Sequence, residues 1–172
     1  MYIKLIISIF LICLSTGCGF KPLYTNEQNA EFLHQIKIGS INTGKLPHKL
    51  DHILKIELEN ELNPYVNVSD NKYILDVKVT PSNTTFGAKS DSTSTRMLII
   101  FTVNFTLKDM QTSKTLFTDE VLSYDSFQIT ESPYSTLISE EENLNRIAKA
   151  SVNEIKIRLL SFFIDSKDAA KS

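Results

Sequence analysis

The chain has 172 residues, with 18 Lys+Arg against 20 Asp+Glu, 42% hydrophobic residues, two Cys, five Gly and no Trp. The length suits one domain, the hydrophobic content excludes wholesale disorder, and two Cys cannot build a small disulfide scaffold. A net charge of -2 gives no global pull toward nucleic acid, and no glycine-rich phosphate loop of dinucleotide or P-loop spacing is present.

The first element is an export signal. Lys4 follows the amino terminus, and Leu5 to Leu14 is a run of ten with Ser8 as its single polar residue. Ser15, Thr16 and Gly17 then lead into Cys18. A positive start, a short apolar run and small residues make a secretory signal; a membrane-spanning helix needs roughly 20 apolar residues. The Cys after the small residues resembles a bacterial lipoprotein signal, in which that Cys becomes the first mature residue and is acylated. Cleavage there discards Cys13 and leaves one thiol, a liability in an oxidising compartment unless acylation consumes it. Two or more chains on Cys18 would anchor the protein stably. Lys4 is the sole charge in the first 17 residues, so the mature chain of 155 residues carries 17 basic and 20 acidic groups, a net -3. The expected organisation is a signal peptide over 1–17, a lipid-anchored segment over 18–30, one domain over 31–164 and a flexible tail over 165–172.

Within the domain, Glu31 to Ile41 predicts a short strand, with Phe32, Ile36 and Ile38 suggesting alternation. Asn42-Thr43-Gly44 predicts a turn. Leu46, Leu50, Ile53, Leu54, Leu58 and Leu62 recur at three and four residues and predict an amphipathic helix, with Pro47 in its first turn and Asn63-Pro64 closing it. Lys72 to Thr80 alternates as a strand, with Tyr73, Leu75, Val77 and Val79 on one face. Pro81 to Thr95 is rich in Ser, Thr and Asn and reads as a long hairpin connection or as two strand extensions. Arg96 to Lys108 is the strongest strand, with Met97, Ile99, Phe101, Val103, Phe105 and Leu107 on one face. Lys114 to Phe127 predicts a fourth strand, with Leu116, Leu122 and Tyr124 opposed to Phe117, Val121 and Phe127; the pattern does not say which set is buried. Phe127 to Ile138 reads as a connector. Ser139 and Glu142 then predict a capping box for a long helix with Leu144, Ile147, Ala148, Val152, Ile155, Leu159, Phe162 and Phe163 on its apolar stripe. The order β-α-β-β-β-α predicts an α+β fold, a mostly antiparallel four-stranded sheet with two helices packed on one face.

Catalytic machinery is not indicated. No serine lies in a nucleophile-elbow motif and no His falls in the second half of the chain to act as a base. His48 and His52 stand at a spacing that suits a shared metal, but Lys49 occupies the position where a zinc protease needs Glu, and the pair lies opposite Leu50 and Leu54. A solvated face accounts for it better. We therefore expect no enzyme, no metal and no cofactor. Lys89 and Arg96 stand among hydroxyl and amide groups of the 81–96 segment with Asp91 as the one nearby acid, a composition that suits phosphate or a polar partner. Lys108 and Lys114 flank the next turn and would add to it.

The run Gly17-Cys18-Gly19-Phe20-Lys21-Pro22-Leu23-Tyr24 resembles the start of the lipopolysaccharide-assembly lipoprotein family LptE in its alphaproteobacterial form. Ser132-Pro133-Tyr134-Ser135-Thr136-Leu137, with Glu140-Glu141 and Arg146-Ile147-Ala148, resembles that family's lead-in to its last helix. The resemblance implies an outer-membrane lipoprotein facing the periplasm, held through acylated Cys18. It implies that the chain plugs the β-barrel LptD, assists its assembly and binds lipopolysaccharide, for which Lys89 and Arg96 are the candidate residues. The alternative is an envelope lipoprotein serving another complex as a lipid-binding or scaffolding module.

Overall fold

The computed structural model describes residues 32–44, 48–62, 71–88 and 94–169. They form β1 (Ile36–Asn42), α1 (His48–Leu62), β2 (Tyr73–Ala88), β3 (Ser94–Asp109), β4 (Thr115–Gln128) and α2 (Pro133–Ala169). The strands lie in one sheet in the order β1-β2-β3-β4. β1 is parallel to β2, with Ile36 beside Tyr73; β2 with β3 and β3 with β4 are antiparallel. The sheet is thus mostly antiparallel with one parallel edge, because α1 carries the chain back across the layer between β1 and β2.

Both helices cover one face, as the apolar stripes predict. Leu50, Leu54, Leu58 and Leu62 of α1 and Ile147, Val152, Ile155 and Leu159 of α2 are buried with Leu75, Val77, Phe101, Val103, Phe105, Leu107 and Val121 of the sheet in one core. On β4 the buried set is Val121 and Phe127, leaving Leu122 and Tyr124 on the opposite, solvent face. Truncating any one of the fully buried leucines to Ala would cost about 2–5 kcal/mol.

Several boundaries differ from the sequence reading. Phe32 to His34 form a helical turn rather than the start of a strand, and Gln35 N donates to Phe32 O at 3.2 Å. The Pro81–Thr95 segment is two strand extensions: β2 and β3 stay in register from Tyr73–Asp109 to Ala88–Ser94. Its polar composition reflects the exposure of Ser82 to Gly87, where the hairpin outruns the helices. Gly87 lies in this hairpin at φ 75°, and a Cβ there would stand 2.5 Å from Thr95 Oγ1, so glycine permits both the backbone and the contact.

The start of α2 is a correction. The helix begins at Pro133 rather than after Ser139. Ser132 precedes it as the cap, with Ser135 N donating to its Oγ at 3.4 Å and Thr136 N to its backbone oxygen at 3.1 Å. Pro133 occupies the first helical position, where its missing N–H is harmless, and Thr130 N donates to Thr136 Oγ1 at 3.0 Å. The Ser139–Glu142 pair is an interior helical segment that happens to match the capping pattern. At the other end α2 runs to Ala169.

Candidate functional site

Cys18 and Lys89 lie outside the described residues. Arg96 is exposed near the distal end of the β2–β3 hairpin, opposite Phe86 on β2 and Gln128 on β4. Its guanidinium stands 5.7 Å from the Phe86 ring centroid and its Nη2 donates to Ser126 Oγ at 2.9 Å. Stacking and this bond fix the fork on the solvent face of the sheet, while a guanidinium has five N–H donors. The arrangement can hold an anion against Arg96 with Ser126 and Gln128 beside it.

Lys108 and Lys114 do not join it. Lys108 lies twelve residues along β3 from Arg96, about 40 Å at strand rise. Its Nζ is 2.8 Å from Asp76 Oδ2. Asp76 Oδ1 also accepts from Ser40 N at 2.8 Å and Ser40 Oγ at 2.7 Å. The bond from Lys108, then those from Ser40, hold the Asp76 carboxyl at about 2 against an ordinary 3.8. Gly39 makes this approach possible: a Cβ there would stand 2.6 Å from Asp76 Oδ1. The cluster therefore ties the parallel edge strand to β2 and β3.

Sequence reasoning missed two further features. Asp119 and Asp125 point from β4 toward α2. Asp119 Oδ2 accepts from Arg158 Nη1 at 2.7 Å, and Arg158 Nε donates to Glu154 Oε1 at 3.1 Å. Asp125 Oδ2 accepts from Arg146 Nε at 2.7 Å. The Arg158–Asp119 bond, donated by Arg158 and accepted by Asp119, lowers the Asp119 carboxyl and raises the Arg158 guanidinium. At Asp125 burial pushes the carboxyl up, and the bonds from Arg146 and Ser126 N more than offset it, so it also sits low. The signal was present in the sequence: Asp119 and Asp125 share the parity of Val121 and Phe127, so a charge on the core face demanded partners from the helix.

The second feature is an aromatic cleft of about 310 Å³ lined by Phe32, Tyr73, Leu116, Phe162, Phe163 and Lys167. Phe32 stacks on Phe163 at 5.2 Å between centroids and Phe117 on Phe162 at 4.7 Å, while Lys167 Nζ stands 5.7 Å from the Phe32 ring centroid. No group of three or more His, Cys, Asp or Glu among the described residues is placed to hold a metal. No described helix is long and apolar enough to cross a membrane. His52 is exposed on α1; the side chain of His48 lies outside the described set.

Among solved structures, a Caulobacter crescentus protein assigned as a lipoprotein superposes with a TM-score of 0.64 at 15% identity, covering 81% of this chain and 97% of its own. A minor lipoprotein from Acinetobacter baumannii gives 0.52 at 18% identity over 74% and 92%. Lipoprotein B from Nitrosomonas europaea gives 0.51 at 12% identity over 84% and 92%. The chain shares their fold. No protein-family model and no curated protein matches it.

Proposed function

We propose that this chain is a non-catalytic lipoprotein of the outer membrane, anchored through acylated Cys18 and facing the periplasm, where it partners and plugs an LptD-type β-barrel and assists lipopolysaccharide assembly. The observation that carries the reading is the run Gly17-Cys18-Gly19-Phe20-Lys21-Pro22-Leu23-Tyr24, placed directly before a domain with a fold found in several bacterial lipoproteins. The α+β domain with its long polar hairpin suits the lumen of a barrel, which is itself polar. The mature chain is net acidic, so polyanionic lipopolysaccharide needs a local basic site; Arg96, fixed over Phe86 at the hairpin end, supplies one such group and Lys89 a second.

The test is co-purification of the tagged protein from outer membranes in mild detergent. A large heat-modifiable barrel is the expected companion, and its absence refutes the reading. Cys18→Ala should release the protein into the soluble fraction, and Arg96→Glu with Lys89→Glu should weaken lipopolysaccharide binding in a direct assay. The aromatic cleft beside Phe163 favours a second reading, an envelope module that binds lipid. Mass analysis of lipid co-purifying with the protein separates the two, because phospholipid without lipopolysaccharide would support the module.

A further inference from the structure

β4 is an edge strand of 14 residues, and such an edge presents unpaired backbone groups. Their direction follows from one bond. Ile129 N donates to Thr95 O at 2.8 Å, continuing the β3–β4 ladder, so odd-numbered residues of the strand turn their N–H and C=O toward β3. The register is unbroken from Phe117 to Gln128, so even-numbered residues turn theirs outward.

Two of the outward N–H groups are already occupied, by the same pair of aspartates. Glu120 N donates to Asp119 Oδ1 at 2.8 Å and Ser126 N to Asp125 Oδ1 at 2.7 Å. Each carboxylate is in turn fixed through its other oxygen by Arg158 or Arg146 of α2. The spacings match: six strand residues and twelve helical residues both span about 20 Å. These clamps close the edge at both ends. Between them the N–H groups of Leu122 and Tyr124 face outward, and no described strand lies beyond them.

The window also has a groove. A depression of about 400 Å³ between β4 and α2 is lined by Leu122, Ser123, Tyr124, Ala150, Glu154 and Arg158. Its floor is widened by the small Ala150, and its outer rim carries Leu122 and Tyr124, 62% and 69% exposed. Asp119, Glu120, Asp125 and Glu154 stand against Arg146, Arg158 and Arg96, the last acting on Asp125 from beside Ser126, so the rim keeps an acidic excess.

We propose that the β4 edge between Asp119 and Asp125 docks a short extended segment of another protein, which pairs its backbone with Leu122 and Tyr124 and carries a basic side chain toward Glu120 and Glu154. Two N–H groups one dyad apart, interleaved with carbonyls, are satisfied together by another extended backbone. Apolar residues of the segment lie beside Leu122 and Tyr124. A second copy of this chain is a poor occupant: β4 itself carries no Lys or Arg, so pairing it with another β4 brings no basic side chain to Glu120 and Glu154. The inference is independent of the barrel assignment.

The test measures amide hydrogen exchange, residue by residue, on the purified mature protein with an acetylated nonapeptide of alternating Lys and Val and with its Glu–Val counterpart. The Lys–Val peptide should slow exchange at Leu122 and Tyr124 by about tenfold or more at saturation, and the Glu–Val peptide should not. Leu122→Pro removes one N–H at an edge position that tolerates proline and should abolish the effect. Ala150→Arg, on the exposed groove floor, should abolish it without touching β4. Slowing by neither peptide, or equally by both, overturns the proposal. Slowing that grows with protein concentration alone overturns it in favour of a second copy.

Discussion

Asp76→Asn removes the negative charge that gathers Ser40 and Lys108 at the parallel edge. The Asp76 carboxyl titrates at about 2 in the folded chain against 3.8 ordinarily. At 1.36 kcal/mol per pH unit, that interval corresponds to about 2 kcal/mol of stability for the ionised form. Lys108 is 39% exposed and Asp76 26%, so solvent screening reduces the expected contribution to about 1 kcal/mol. The folded value is depressed, so the contribution is complete above pH 3.8 and disappears as pH falls through about 2. Urea unfolding followed by circular dichroism at pH 7 and at steps from pH 5 to 2 measures it. Asp76→Asn should be less stable than wild type at pH 7 by about 1 kcal/mol, and the two curves should converge toward pH 2. A difference that is constant across the whole range would refute the electrostatic account and leave only a loss of geometry.

Phe163→Ala should cost about 3–5 kcal/mol in the same unfolding assay, because Phe163 is buried and stacks on Phe32; a loss under 1 kcal/mol would mean that the cleft rings do not belong to the core. Ser132→Ala should cost about 0.5–1 kcal/mol by removing the helix cap, whereas Ser139→Ala should be close to neutral, and the reverse order would place the helix start at Ser139. Asn143 is fully buried and neither Oδ1 nor Nδ2 has a partner in the structure, so Asn143→Leu should raise the melting temperature, with a net gain of about 1 kcal/mol from relieving an unmet polar group. A fall in melting temperature would show that the site has no room for the larger side chain or that a water serves the amide.

Most of the architecture was legible because burial on one face imposes period two on strands and period three to four on helices. The Met97–Leu107 alternation and the Leu50–Leu62 stripe each emerge as core. What stayed hidden depended on partners distant in sequence. The close fit of β1 against β2, where Ser40 and Gly39 meet Asp76, is not encoded in local pattern. β4 was ambiguous because both of its faces carry apolar residues, and two aspartates lie on the buried one. The true start of α2 was obscured by a second serine followed by glutamates that imitates a cap. Of the basic residues singled out, Arg96 is exposed and held in place, while Lys108 is committed to Asp76 at the far end of the strand.

The parallel edge also shapes how the chain assembles. β2, β3 and β4 join through neighbouring hairpins, whose loops close cheaply, whereas β1 meets β2 across 37 residues, from Ile36 to Tyr73. Contacts of long sequence separation require more chain entropy to be surrendered before they contribute. The meander and α2 should therefore organise first and β1 last, as a separable unit of lower protection. The turn Phe32–His34 and then β1 are the parts of the domain nearest the amino-terminal segment, so under the proposed anchoring any pull from the bilayer meets the Phe32–Phe163 stack and behind it the seven-residue strand that folds latest. The domain could yield there like a fuse, paying out chain while the remaining sheet and both of its long hairpins stay intact.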